Sequence, residues 1–353
     1  TRFSLPDNWS RKVSEAKQFL FQIAVEDFDA DGDFDIAVAT YEGIPFLLCQ
    51  EGGKFVDRSR ELGLGTWVSG GPTKSALAGW IDFNNDGFPD LLMGQSLYRN
   101  VGGLRFKNVT TESGYQAGFD PHGVTVADYN NDGLLDFYIS RSHRYQQEVD
   151  RAGWVGDEES GTPNTLWKNL GNGKFQDVTV ESHSGGGSRT TFTSSWFFFD
   201  EDHYPDLYIA NDFAKNVVLR NRGDGSFEDV SDISGAADFA TSMGVATGDL
   251  DNDGSTEIYV ANMYSKMGRR IISHVSAADY PAEIFPQIQG SCAGNRLYRK
   301  QNQGQYSDVT AMAGVNEVGW AFAPLMCDFD GDGLLDLYAT TGFMSFNREK
   351  PDG

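Results

Sequence analysis

The chain has 353 residues, and its 51 Asp and Glu against 28 Lys and Arg give a net charge of −23. That balance excludes a nucleic-acid binder, which needs basic patches, and disfavours direct binding to anionic membranes. No apolar run approaches the ~20 residues of a membrane span.

A nine-residue acidic pattern, Asp-x-Asp/Asn-x-Asp-Gly-x-x-Asp/Glu, first occurs as Asp27, Asp29, Asp31, Asp33 and Asp35 around Gly32. Side-chain oxygens at positions one, three and five converge when the chain curls tightly. The glycine at position six tolerates the backbone angles this curl needs. Position seven offers a carbonyl and the acid at position nine closes an all-oxygen shell, the coordination that calcium takes. The second copy supplies Asp82, Asn84, Asp86, the Phe88 carbonyl and Asp90. The third supplies Asp128, Asn130, Asp132, the Leu134 carbonyl and Asp136. The fourth sets Phe198, Asp200, Asp202, His203 and Asp206 on the pattern. Lacking the first carboxylate and the glycine, it is expected to hold metal weakly or not at all. The fifth uses Asp249, Asp251, Asp253, the Ser255 carbonyl and Glu257; the sixth uses Asp328, Asp330, Asp332, the Leu334 carbonyl and Asp336. About five calcium ions per chain are therefore expected. Magnesium keeps its waters and rarely uses all-protein cages, and zinc and redox metals prefer nitrogen or sulfur.

Each loop is followed by a short apolar run, such as Ile36-Ala37-Val38-Ala39, Phe137-Tyr138-Ile139 and Ile258-Tyr259-Val260. These are predicted buried strands. A second module follows as Leu97-Tyr98-Arg99-Asn100, Leu166-Trp167-Lys168-Asn169, Val218-Leu219-Arg220-Asn221 and Leu297-Tyr298-Arg299-Lys300. A Gly-rich turn then leads to Phe-x-Asp-Val-Thr/Ser, at residues 175–179 and 227–231, with a variant at 306–310. One unit thus holds strand A before the loop, B after it, then C and D. Four-stranded units of about 40 to 50 residues mark a β-propeller blade. The predicted fold is all-β, a single β-propeller domain over residues 1–353. The first loop positions lie 55, 46, 70, 51 and 79 residues apart, so the two long intervals carry insertions, at about residues 141–165 and 262–295. Six A–B pairs and five complete C–D pairs give six or seven blades. Closure is expected either through residues 3–7 as a last strand D or through a seventh blade beyond Gly353.

The loops, with Asp27 to Tyr41, Asn295-Arg296-Leu297-Tyr298-Arg299 and the 169–179 and 221–231 modules, resemble FG-GAP/VCBS repeat proteins. Within them the chain is similar to the cartilage acidic protein-like family. The resemblance spans nearly the whole chain. It implies an extracellular or periplasmic seven-bladed propeller with calcium in its A–B loops, as in the related heads of integrins, which serve adhesion. It also implies a further repeat and a C-terminal domain, which suggests a truncated or processed form.

Alternating strand direction puts A–B and C–D loops on one face, B–C and D–A connections on the other. Both insertions are B–C loops. The first carries Arg141, His143, Arg144, Tyr145 and Trp154; the second carries Tyr264, Arg269, Arg270 and His274, with a short helix predicted over 269–275. Arg and aromatic residues are the usual interface anchors, and long loops on a rigid scaffold collect binding residues. The leading expectation is a protein or carbohydrate ligand on this face; the plainer reading is that the loops cap the channel. One alternative is a subunit of a larger assembly, paired through the C-terminal blade edge. Another is a metal-dependent enzyme using His122, His143, His183 or His274, a less favoured reading because no His-x-x-His, Gly-x-Ser-x-Gly or P-loop pattern supports it. Cys49, Cys292 and Cys327 show no zinc or redox spacing. Asn8-Trp9-Ser10 and Asn108-Val109-Thr110 are sequons.

Overall fold

The computed structural model describes residues 21–40, 46–64, 77–118, 121–142, 161–282, 284–301, 304–316 and 318–341. They contain five four-stranded antiparallel sheets, each built in the chain order A-B-C-D. The first is β1 (Phe21–Glu26), β2 (Asp35–Thr40), β3 (Phe46–Glu51) and β4 (Lys54–Asp57). The second is β5 (Ala78–Ile81), β6 (Asp90–Met93), β7 (Ser96–Asn100) and β8 (Phe106–Asn108). The third is β9 (Pro121–Ala127), β10 (Asp136–Arg141), β11 (Thr165–Asn169) and β12 (Phe175–Asp177). The fourth joins β13 (Thr190–Phe197), β14 (Asp206–Asp212), β16 (Val217–Asn221) and β17 (Phe227–Asp229), while β15 (Ala214–Lys215) pairs with β18 (Phe239–Ala240). The fifth is β19 (Ser242–Gly248), β20 (Glu257–Asn262), β21 (Arg296–Lys300) and β22 (Tyr306–Asp308). A sixth A–B pair, β23 (Ala321–Cys327) with β24 (Asp336–Thr341), completes the described strands.

The chain divides into two compact units, Thr1–Ser140 with Thr165–Thr179, and Arg141–Asn164 with Val180–Gly353. In the first unit β1 packs on β5 and β5 on β9; in the second, β13 packs on β19 and β19 on β23. In the four-stranded sheets strand B is the most enclosed element. β6, β10 and β20 are buried along their whole length, so their sequences read as continuous apolar runs rather than alternations. Phe137, Ile139, Trp167 and Phe175 meet Leu92 and Leu97 of the preceding sheet in one cluster. Tyr208 and Val218 meet Ile258 and Tyr298 in another. Each such side chain contributes about 1.5–3 kcal/mol when fully buried.

The Phe-x-Asp-Val-Thr/Ser motif has a definite task. Its hydroxyl accepts the amide of the second strand-C residue and donates to the Asp two residues before it. Thus the Leu166 amide donates to Thr179 Oγ1 at 2.9 Å, and Thr179 Oγ1 donates to Asp177 Oδ1 at 2.5 Å. Ser231 does the same for Val218 and Asp229, and Ser59 for Leu47 and Asp57. Asn108 stands in the Asp position of the second sheet and accepts from the Thr110 hydroxyl at 2.8 Å, so the Asn108 sequon is this clamp.

Short helical turns follow strand D: α1 (Thr110–Ser113), α2 (Thr179–Ser182) and α3 (Ser231–Ser234). The second insertion carries α4 (Lys266–Ile272) and α5 (Phe285–Gly290), and α6 (Thr310–Ala313) follows β22. The helix predicted over 269–275 begins earlier, because Ser265 caps it by accepting the Gly268 amide at 3.0 Å, and it ends at Ile272.

Candidate functional site

Every intact acidic loop folds the same way. In the first, the Asp31 and Gly32 amides donate to the two Asp27 oxygens at 3.1 and 3.0 Å, and the Asp33 amide donates to Asp31 Oδ1 at 2.9 Å. Asp82 receives the Asp86 and Gly87 amides, Asp128 those of Asp132 and Gly133, Asp249 those of Asp253 and Gly254, and Asp328 those of Asp332 and Gly333. These bonds hold the position-one carboxylate over the turn.

Position six is left-handed throughout, from φ +83° at Gly87 to +89° at Gly32, which suits glycine. The sequence reading missed position four, which is left-handed too. Ala30, Asn85, Asn131 and Asn252 have φ between 55° and 60°, and Gly331 has 78°. Asn and Gly are the residues that enter this region most readily, so their recurrence was the available signal. The Asn85 amide group donates to the Gly133 carbonyl and that of Asn252 to the Gly333 carbonyl, both at 2.9 Å. Each of these side chains therefore reaches the following loop.

Carboxylate oxygens of Asp27, Asp29 and Asp31 lie within 4.8 Å of one another, as do those of Asp249, Asp251 and Glu257, and of Asp328, Asp330 and Asp332. The position-nine acids Asp35, Asp90, Asp136 and Glu257 are buried at the start of strand B, whereas Asp336 of β24 is exposed. Strand C orients them: the Gln50, Asn100 and Asn169 amides donate to Asp35, Asp90 and Asp136 at 2.9, 2.6 and 2.7 Å. Burial, followed by smaller effects of neighbouring loop carboxylates, pushes their pKa up to about 7 for Asp35 and Asp136 and about 8 for Asp90. Glu257 is raised by burial as well. Asp35 Oδ2 is buried with no hydrogen-bond partner. An all-oxygen donor set, convergent and short of a cation, fits a hard divalent ion.

The fourth loop departs as its sequence does. Asp206 is fully buried and pushed up to about 7 by burial, but neither position four nor position six is left-handed. Arg220 of strand C places Nε 2.5 Å from Asp200 Oδ2. The same strand position places Arg299 2.9 Å from Asp251 and 3.6 Å from Glu257, and Lys168 3.6 Å from Asp132.

The B–C residues separate into three groups. His143, Arg144, Tyr145 and Trp154 lie outside the described residues. Arg141 corrects the surface reading: it is only 4% exposed. A buried Asn before strand C pins the B–C bend; Asn164 Oδ1 accepts the Arg141 amide at 2.9 Å, and Asn295 Oδ1 accepts the Asn262 amide at 2.8 Å. Tyr264, Arg269, Arg270 and His274 all belong to the second insertion. Arg269, Arg270 and His274 are exposed, and the Arg269 guanidinium lies 5.9 Å from the Tyr264 ring centre. A cavity of about 530 Å³ opens beside Arg269, lined also by Gln289, Arg296, Asp308 and Asn316. The α5 wall of this insertion is seated closely, since a Cβ on Gly290 would fall 2.2 Å from the Phe239 carbonyl oxygen. Among the described residues no histidine joins a group of three metal-capable side chains.

The FG-GAP-like repeat family matches residues 27–93, 82–139 and 199–260. The chain is thus an FG-GAP-like repeat protein, and it is cartilage acidic protein-like. It is 23% identical over 397 aligned residues to cartilage acidic protein 1 of Homo sapiens, covering 93% of this chain and 57% of that protein. Against the Xenopus tropicalis protein of the same name the values are 22%, 93% and 58%. The chain therefore spans a little over half the length of these relatives. A solved Agrocybe aegerita lectin, described as specific for non-reducing terminal N-acetylglucosamine, covers 90% of this chain and 74% of its own at 14% identity and a TM-score of 0.49. That degree of likeness is too low to transfer a ligand.

Proposed function

We propose that the chain is a calcium-stabilised, secreted β-propeller of six or seven blades that acts as an interaction module. The observation that carries this reading is the convergence of carboxylates in separate loops of one geometry, at Asp27/Asp29/Asp31, Asp249/Asp251/Glu257 and Asp328/Asp330/Asp332. Calcium would be held by the side chains at positions one, three, five and nine and the carbonyl at position seven. Its charge would offset the clustered acids, and its binding would fix the A–B turn of each repeat. Weak all-oxygen sites fill where calcium is abundant, which favours an extracellular or periplasmic setting.

The ligand face of this reading is the second insertion, where Arg269 lines the cavity and Arg270 is exposed next to it in sequence, in an otherwise acidic chain. A protein or carbohydrate ligand suits its mixture of guanidinium, carboxylate and amide groups. Self-assembly is the second reading. It is favoured by β24, whose only partner among the described strands is β23, and by the exposure of Leu325 and Tyr338 on that pair.

Thermal unfolding and metal content, each measured with calcium and with excess chelator, test the calcium reading. The expected result is about five calcium ions per chain and a large loss of melting temperature on chelation. An unchanged melting temperature would refute it.

A further inference from the structure

We propose that the basic side chain two residues beyond the clamped amide of strand C is a built-in counter-cation that sets how tightly the acidic loop it faces binds metal. The inference rests on the calcium reading and deepens it. Counting from the residue clamped by the strand-D hydroxyl, this position is Cys49, Arg99, Lys168, Arg220 and Arg299 in successive sheets.

The contacts are graded. At the fourth loop Arg220 holds the position-three carboxylate of Asp200 at 2.5 Å. That loop has lost both the position-one acid and the position-six glycine, and the guanidinium supplies the positive charge there. At the fifth loop, whose motif is intact, Arg299 reaches Asp251, again position three, at 2.9 Å. It also lies 3.6 Å from Glu257 at position nine. At the third loop the Lys168 ammonium is 3.6 Å from the position-five Asp132. At the second, Arg99 lines the same cavity as Asn84 and Asp86. The first loop faces no cation from this position, because Cys49 occupies it.

A guanidinium on a ligand carboxylate opposes a divalent ion twice. It occupies acceptor oxygen and it repels the incoming charge. A unit positive charge about 5 Å from a divalent ion weakens binding by about tenfold or more even at water-like screening. Affinity should therefore fall from the first loop, with its neutral Cys49, to the fifth, with Arg299, and vanish at the fourth. The loops would fill in sequence rather than together.

Calcium titration by calorimetry, with metal content after equilibrium dialysis, tests this on the whole chain. Arg299→Gln should tighten the weakest class of sites by about tenfold, and Arg299→Lys, which keeps the charge, should leave it near the parent value. Arg220→Gln alone should add no ion, since the fourth loop still lacks two motif residues. Phe198→Asp with His203→Gly should add one ion per chain, bound about as weakly as that of the fifth loop, and combining Arg220→Gln with them should tighten it by about tenfold. Melting in chelator confirms that each variant is folded. Calcium uptake by the parent chain with an Arg299→Gln midpoint that is unchanged or weaker would overturn the counter-cation role while leaving the calcium reading intact. No uptake by the parent chain would remove both.

Discussion

The position-nine carboxylates set the chemistry of this chain at the scale of the single residue. Asp35, Asp90, Asp136 and Asp206 sit at the first residue of strand B, enclosed by the sheet, with pKa values pushed up to between about 7 and about 8 by burial. Their ordinary value is 3.8. Between those limits the folded chain keeps protons that the unfolded chain has released. Stability without metal therefore falls as pH rises through this window. Calcium bound there would favour the ionised form and offset the loss. In chelator the melting temperature should drop between about pH 5 and about pH 8, and in saturating calcium it should change much less. A chelated protein that melts higher at the upper pH would contradict this account. The acids themselves were legible in the sequence, because their spacing repeats. Their burial was legible only from the apolar runs that follow them. The left-handed fourth position was not read, although Asn85, Asn131 and Asn252 mark it, because a single Asn in an acidic turn resembles any polar loop residue.

At the scale of the element, strands C and D are held by side chains as much as by their ladder. Ser231 accepts the Val218 amide at 3.0 Å and donates to Asp229 at 2.5 Å. Ser231→Ala leaves a buried amide without its acceptor, which costs about 1–3 kcal/mol. The urea midpoint should fall by the corresponding amount with calcium and with chelator alike. A fall confined to calcium would mean that the clamp acts through the metal loop. The four-strand unit was readable because its motifs recur at matched positions. The helical turns after strand D were not, since four residues such as Thr110–Ser113 leave no periodic signal. Nor was the inner structure of the second insertion, where no repeat supplies a register and a single cap at Ser265 decides where α4 starts. The strand-C cations were in plain view as Arg99, Lys168, Arg220 and Arg299. Read as part of a Leu-Tyr-Arg-Asn strand, they gave no sign of which loop they face.

At the scale of the whole molecule, repetition would let stability and recognition be separated. Acidic loops recur in sheet after sheet, while the second insertion occurs once and departs from the repeat pattern. Replacing both Arg269 and Arg270 with Ala should leave the melting temperature and calcium content unchanged. Binding to a panel of glycans and matrix proteins should fall by about tenfold or more for any ligand that uses this face. An unchanged panel would move attention to the β24 edge, where the mass in solution would distinguish monomer from assembly.

Repetition also has a thermodynamic consequence. Asn85 and Asn252 each hold the left-handed turn of one loop while binding the position-six carbonyl of the next. Ordering either loop lowers the cost of ordering its neighbour. Metal binding at the second and third loops, and at the fifth and sixth, should then be positively cooperative within each pair. Asn252→Gly keeps the backbone conformation and removes the link, so its titration should be shallower at the same stoichiometry; a curve of unaltered steepness would show the paired loops to be independent. With the links in place, these pairs would respond to ambient calcium over a narrower range of concentration than any one loop could.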